Sequence, residues 1–448
     1  MIEETEVQGW VKDHLAENIS EEFDSMAAFE NAIYKQCLGV QRAVLEQVTQ
    51  EAADKVAMNC PTCAKPLSVV DRNRERTVDS MFGPIRFSRA CGYCAQCKQH
   101  HFPADIRLGL HGRAALSPRI QEIAALSALR APASQASEDM LRLTGIEISA
   151  STIHREAHRQ GGRALLLRTF DEVRTQSAAG IAQLAAEAPK LPGHSTLVIE
   201  IDAWNIRERD NWGSSESFRK QGKDTGRWHW VCTGTGPTQR PCIAERGYVA
   251  TRAGLESFRN QLYAEALRRG MAQAETVLVL ADGAVWIWNL ADDRFGHATQ
   301  RLDLYHAQQH LWNLAAELHG KGTAEARAWV APYIESLKND PSGAEKLIGS
   351  LAELGAKLDA CTEKQKEALR RETACFENNR NRMDYKKGAD LGQPVGSGAI
   401  ESTCSQYQRR FKMTGQFWSL EGDEAFLALS TLHRNGRWNK LFPASRVP

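Results

Sequence analysis

Two Cys-x-x-Cys pairs, Cys60-Pro61-Thr62-Cys63 and Cys94-Ala95-Gln96-Cys97, constrain the folding of this chain more than any other feature. Each pair supplies two thiolates from one tight knuckle, and two knuckles complete a tetrahedron around zinc. The gap between the pairs exceeds the usual spacing of roughly 15–20 residues. Arg76 to Arg89 reads as two β-prone runs around Gly83-Pro84, so a hairpin fills the gap. One structural zinc on Cys60, Cys63, Cys94 and Cys97 is therefore expected, with Cys91, His100 and His101 ranked behind them as ligands. The other cysteines among the eleven are scattered, unlike the framework of a secreted disulfide protein.

At 448 residues and 42% hydrophobic content the chain can bury a substantial core, in roughly two to four domains. The formal charge of +1 hides a split. Residues 1–56 carry 4 basic against 12 acidic residues, and residues 57–175 carry 17 against 11. A basic segment behind an acidic leader suits a nucleic-acid partner. No run approaches the roughly 20 apolar residues that cross a bilayer, and the N-terminus is acidic where a signal peptide is basic. A soluble, cytoplasmic protein with no membrane partner is expected.

Residues 1–56 read as an N-terminal helical region. Phe23, Met26, Phe29, Ile33, Cys37, Val40, Val44 and Val48 recur at helical spacing, as in a packing or dimer helix. The ribbon follows over 57–110. Residues 111–190 hold a helix opened by Ser117-Pro118, a second over Ser134–Leu143, a break at Thr144-Gly145 and a third helix capped by Ser149. This is a helix-turn-helix pattern. Its third helix presents His154, Arg155 and Arg159 to a major groove, with the hydroxyls of Ser149, Ser151 and Thr152 reaching phosphates; an ordinary helical hairpin is the alternative.

From 191 to 305 strands and helices alternate in the order β-β-β-α-β-α-β, that of an RNase H-like α/β domain. Residues 306–390 are helical, and 391–448 hold a turn-rich loop, a helix from about 399 to 412 and a tail. The expected class is multidomain α+β: N-terminal helices, zinc ribbon, helix-turn-helix, and an RNase H-like catalytic domain carrying a large all-helical insertion.

Asp202 ends the first buried strand of that domain, Asp282 follows the fourth, and Glu401 sits one turn into a late helix. A charge at the end of an apolar element can reach solvent or metal. Phosphodiester cleavage needs charge stabilised on the attacking and leaving oxygens, and two Mg²⁺ or Mn²⁺ ions held by carboxylates provide it. Glu200, Asp210, Asp292, Asp293 and Asp303 are rivals for the same role.

Three strings surround these acids: Ile201-Asp202-Ala203-Trp204 with Arg207-Glu208-Arg209, Ala281-Asp282-Gly283-Ala284-Val285-Trp286, and Val395-Gly396-Ser397-Gly398-Ala399-Ile400-Glu401-Ser402. With them the chain, from Cys60 onward, resembles bacterial insertion-sequence transposases of the Kra type, allied to the Mutator-like superfamily. The resemblance implies catalytic roles for Asp202, Asp282 and Glu401, and it is what picks out Glu401. It also marks Asp303-Leu304-Tyr305-His306, in which His306 orients a scissile phosphate or is a buried structural histidine. The helical stretch before Glu401 matches the insertion such enzymes carry. Arg409, Arg410 and Lys412, with Trp418, read as a DNA-backbone contact or a solvated basic face.

The expected reaction is cleavage at the ends of a mobile element, then attack of the freed 3′-hydroxyl on target DNA. The partners implied are double-stranded DNA, at the element ends and at the target, and at least a second copy of the chain, in a bacterial nucleoid. The alternatives are a catalytically inactive repressor or domesticated transposase, and a glycosidase using Asp202 and Asp282.

Overall fold

The computed structural model describes residues 25–110, 115–191, 193, 195–207, 221–233, 242–356, 362–413, 416 and 418–443; for 205, 207, 221–233 and 242–244 it describes the backbone alone. Asp210 and Phe23 lie outside the described residues. The chain divides into two compact units, residues 1–157 with 442–448 and residues 158–441.

In the first unit, α1 (Met26–Asp54) starts at Ser25, whose hydroxyl accepts from Ala28 N. The ribbon is a three-stranded antiparallel sheet of β1 (Ser68–Ser80), β2 (Gly83–Cys94) and β3 (Gln99–His101). Since β3 pairs only with residues 92–94, most of the outer edge of β2 has no strand partner among the described residues. Side chains of α1 close it: Glu46 accepts from Arg86 N at 2.9 Å, and Gln50 both accepts from Ser88 N and donates to Ser88 O. An open edge would be a template for aggregation, and these bonds remove it. The apolar stripe of Met26, Phe29, Ile33, Val40, Val44 and Val48, expected to pack, is exposed among the described residues. The helix is seated instead by Leu45 and Ala53, which pack with Val78, Ile85, Phe87, Ala104 and Leu110.

After a short α2 (Pro103–Arg107) come α3 (Pro118–Arg130), α4 (Ala133–Thr144) and α5 (Ala150–Arg174). Ser117 caps α3 through Ile120 N. Gly145, at φ +69°, ends α4 in the left-handed conformation that costs glycine nothing. Ser149 caps α5 through Thr152 N. Ile120, Ala136, Met140, Ile148 and Ile153 are buried, and Ser137 Oγ donates to Ile148 O across the turn between α4 and α5.

The second unit begins within α5 and continues through α6 (Ala178–Ala186) into a mixed sheet. Its strands are β4 (Ser195–Ile201), β5 (Trp204–Arg207), β6 (Gln221–Thr233), β7 (Cys242–Thr251), β8 (Thr276–Ala281) and β9 (Thr299–Leu302). β4, β8 and β9 run parallel side by side, and β6 pairs antiparallel with β4, β5 and β7. α7 (Leu255–Arg268) joins β7 to β8, and α8 (Val285–Arg294) joins β8 to β9. Alternation along β4 and β8 splits the sheet's faces. Leu197, Ile199, Ile201, Val277 and Val279 pack against Phe258, Leu262, Ile287 and Trp288 on one side, while Val198 and Leu278 meet Ala399 on the other.

Then come α9 (Leu304–His319), α10 (Ala324–Asn339), α11 (Gly343–Gly355), α12 (Glu363–Asn378) and α13 (Tyr385–Asp390), sharing a core that includes Leu311, Leu314, Val330, Leu347, Leu369 and Phe376. α14 (Gly398–Phe411) and α15 (Leu420–Arg434) complete the unit. The mixed α+β class expected from sequence is observed, and it is mostly helical, with the antiparallel ribbon and the parallel strands in place. Strand β5, the polar first half of β1 and helix α15 go beyond the sequence reading.

His310 on α9 meets Glu372 of α12 at 2.5 Å. The Cys375 thiol and the Glu372 carboxylate push the imidazole pKa up from 6.5 to about 10, against its partial burial. The folded chain thus keeps a proton that the unfolded chain releases, so this stabilisation is full below pH 6.5 and lost as pH rises toward 10. Allowing for solvent screening, stability is expected to fall by on the order of 2 kcal/mol across that window. Denaturant melts of His310→Asn at several pH values should show the slope flattened.

Candidate active site and metal centre

The cysteines converge as expected. Cys63 Sγ lies 3.5 Å from Cys94 Sγ, Cys60 Sγ lies 3.8 Å from Cys97 Sγ, and all four sulfurs fall within 4.8 Å of one another. A tetrahedral zinc with bonds of roughly 2.3 Å spaces its sulfurs about 3.8 Å apart. All four thiols are free. Ala64 and Lys98, each following the second cysteine of a pair, both adopt positive φ, 59° and 54°, so the knuckles share one turn. The cluster is consistent with structural zinc. Of the rivals, His101 Nε2 stands 3.6 Å from Cys60 Sγ, outside the four-sulfur set, and Cys91 lies 3.9 Å from His100 Nδ1.

The proposed groove-reading residues sit at the start of α5. Ser149 Oγ contacts Ser151 Oγ and Thr152 Oγ1, and Arg155 donates to Thr152 Oγ1 at 3.0 Å. His154 and Arg155 are exposed and Arg159 is half-buried.

The carboxylates are set by strand register. Ile201 pairs with Ala281, and Ala281 with Leu302, on adjacent parallel strands. Asp202, Asp282 and Asp303 each follow one of these residues, so three acids emerge at the same level from neighbouring strands roughly 4.8 Å apart. Asp202 Oδ1 accepts from Ala203 N, and Asp282 Oδ1 accepts from Ala284 N at 3.0 Å. Gly283 makes that turn at φ +99°, and a Cβ there would come within 2.9 Å of Leu302 Cδ1. Only glycine lets the chain fold back behind Asp282.

Burial holds the Asp202 pKa above the ordinary carboxylate value; the Asp282 charge adds to the rise, and hydrogen bonds from Ala203 N and Cys404 oppose it. His306 is raised by its contact with Asp303, whose Oδ2 lies 3.6 Å from Nδ1, and by the charges of Asp282 and Asp202, against partial burial.

Asp303, His306 and Glu401 place ligand-type atoms within 4.8 Å of one another. Asp303, however, is fully buried and its lone pairs are spent. Oδ1 accepts from Tyr305 N and His306 N, capping α9, and Oδ2 accepts from Ser397 N and Ser397 Oγ. A carboxylate offers about four acceptor sites, so little remains for a metal. Glu401 is exposed in the first turn of α14. Glu200 is buried, accepts from Ile400 N at 2.8 Å, and is pushed up to about 8 by burial, with the charges of Asp303 and Glu401 adding to the rise. Asp292 accepts from Gln300, and Asp293 pairs with Arg259 and Arg294, so both are surface charges. The sequence does not reveal the roles of Glu200, Asp303 and Ser397, because they depend on partners about 100 or 200 residues away.

At the end of α14 the basic residues separate. Arg409 is exposed and Lys412 half-buried, donating to Gln408. Arg410 lies over the rings of Phe426 and Trp418 and donates to Gln416, and burial pushes its pKa down to about 10. Trp418 is buried, with Nε1 donating to Phe411 O. Arg410 and Trp418, both expected at a DNA backbone, thus lie against the rings of Phe411 and Phe426. Trp288 is likewise buried, with Nε1 bonded to Asn379.

No protein-family model and no curated protein matches the chain. Among solved structures it is similar to a chain of the Drosophila P element transposase strand transfer complex, at 10% identity and a TM-score of 0.25, over 76% of this chain and 84% of that one. A match of that size says nothing about the chemistry of this chain.

Proposed function

We propose that the chain is a DDE-type DNA transposase with an RNase H-like catalytic domain, of the Kra kind allied to Mutator-like enzymes. One observation carries this reading: Asp202 and Asp282 emerge side by side from adjacent parallel strands. The sheet order and strand senses, with β6 alone reversed among β7, β6, β4, β8 and β9, support the RNase H-like assignment.

Asp202, Asp282 and Glu401 would hold two Mg²⁺ or Mn²⁺ ions, which supply charge stabilisation for the attacking and leaving oxygens of a phosphodiester. The donor set fits hard cations: all three are carboxylates, the proton affinity of Asp202 is raised by burial and then by the Asp282 charge, and that of His306 is raised by Asp303 and by the charges of Asp282 and Asp202. Asp282 is held by its turn and Asp202 by the break between β4 and β5, so neither has far to move. His306, half-buried beside the acids, would orient a scissile phosphate.

The ribbon and the start of α5, through Ser149, Ser151, Thr152, His154, Arg155 and Arg159, would bind the inverted repeats, and Arg409 would meet the backbone. Pairing two ends requires at least a dimer. Among the described residues no helix is long and apolar enough to cross a membrane.

The test uses linear duplex DNA carrying the segments that flank the gene. Wild type should cut it in Mg²⁺ or Mn²⁺, and Glu401→Gln should cut it slower by a factor of about 10² or more. Binding without cutting by wild type would support an inactive DNA-binding protein instead.

A further inference from the structure

Helix α14 gives up its own N-terminal cap. A helix leaves its first amides without intrahelical partners, and a serine at the N-cap position ordinarily accepts from one of them. Ser397 occupies that position and makes no side-chain cap. Its hydroxyl and its amide both donate to Asp303. The amide of Ile400, which the serine would otherwise cap, donates to Glu200 instead.

Glu200 is a costly residue for this task. It points from the middle strands onto the face where Val198 and Leu278 pack against Ala399, and it is 3% exposed. Burying an ionisable group there, beside Asp303 and Glu401, is unfavourable, as its raised pKa shows, and the bond it accepts from Ile400 N offsets part of that cost. Leucine at 200 would simply extend the apolar contact.

We propose that Glu200 is a positioning residue: with Asp303 it clamps the first turn of α14 onto the ends of β4 and β9 and so sets Glu401 over Asp202 and Asp282. The inference rests on the catalytic reading for its purpose, though the clamp itself does not. The chain reaches α14 only after the long helical stretch from α9 to α13, and at its first turn two hydrogen-bonded acidic side chains, beside the packing of Ala399, join it to the strand ends. Glu401, next to Ile400, inherits its placement from the Glu200 bond.

The experiment compares Glu200→Gln, which keeps an acceptor of the same length, with Glu200→Leu, in the full chain. Hydrogen exchange of the amides in residues 398–404, measured without divalent ions, should be about tenfold or more faster in Glu200→Leu and within about threefold of wild type in Glu200→Gln. Mn²⁺ binding followed by electron paramagnetic resonance should weaken roughly tenfold in Glu200→Leu and recover in Glu200→Gln. Unchanged exchange and Mn²⁺ affinity in Glu200→Leu would overturn the clamp, as would damage by Glu200→Gln equal to that by Glu200→Leu. Ser397→Ala, which deletes only the hydroxyl, gives the same reading on the Asp303 arm if Glu200→Leu fails to fold: faster exchange at 398–404 supports the clamp, and unchanged exchange contradicts it. Wild type that neither binds Mn²⁺ nor cuts DNA would remove the catalytic reading while the exchange data still decide the clamp.

Discussion

Replacing Cys94 with serine, or stripping metal with a strong chelator, should unfold the knuckle half of the ribbon and leave its other end standing. The two halves differ in what holds them. Around the knuckles the buried cluster is Cys60, Leu67 and Cys94, with Met58, Cys63 and Cys97 against it, too little apolar surface to offset the ordering of about thirty residues. Much of β1 there is exposed. Four thiolates on one zinc supply an apparent free energy on the order of 10–16 kcal/mol, which becomes folding free energy. At the far end Val78, Ile85 and Phe87 pack with Ala53 and Leu110, and Asp105 ties Arg76 and Arg89 together at 2.6 and 2.7 Å. Hydrogen exchange should therefore show protection lost from about residue 58 to 73 and 91 to 101, and kept at 75–89. Elemental analysis should find one zinc per chain in wild type and none in the variant. A metal-free chain with a fully protected ribbon would contradict this.

Asp282→Asn should lower DNA cleavage by a factor of about 10³ or more and, at the same time, raise the melting temperature of the metal-free protein. Both effects follow from one charge. Asparagine keeps an oxygen that can accept from Ala284 N, so the Gly283 turn survives the change. It removes the negative charge that, with burial, raises the Asp202 pKa. Metal-free, the site is a cluster of acids with no lysine or arginine paired to Asp202 or Asp282 among the described residues. Relieving that repulsion should stabilise the chain by roughly 0.5–1 kcal/mol, as when a site shaped for function is relaxed. Thermal melts in chelator, set beside single-turnover cutting in Mg²⁺, measure both. A destabilised, inactive variant would indicate a structural acid.

The two Cys-x-x-Cys pairs are legible in sequence because a knuckle is local: four residues specify it, and only the hairpin between has to be inferred. Asp202 and Asp282 are legible for a related reason, since each ends an apolar run, Thr196–Ile201 and Thr276–Leu280, and a strand end is visible as a change of residue type. Glu401 is not. Its helix starts over a hundred residues after Asp282 and is brought back by long-range contacts, among them the bonds to Glu200 and Asp303, the packing of Ala399 on Val198 and Leu278, and the ring contacts of Trp204 with Tyr407 and Phe411. Glu200 itself reads as one polar position in a strand and a rival ligand, because nothing near it in sequence announces an acceptor for Ile400 N. Charge misleads at β1, where Asp71, Arg72, Arg74 and Glu75 hide a strand exposed on its first half, and at Arg410, whose stem and guanidinium lie among rings. The stripe on α1 is visible as a pattern, but its exposure is not.

The central claim is that Asp202, Asp282 and Glu401 together hold the ions that cut DNA. Mn²⁺ titration of the zinc-loaded full chain, followed by electron paramagnetic resonance, tests it most directly against the Asp202→Asn, Asp282→Asn, Glu401→Gln triple variant. Wild type should take up about two ions with affinity well above that of surface carboxylates, and the triple variant should lose that uptake while keeping its fold and its zinc. Equal Mn²⁺ uptake by the two proteins would contradict the claim.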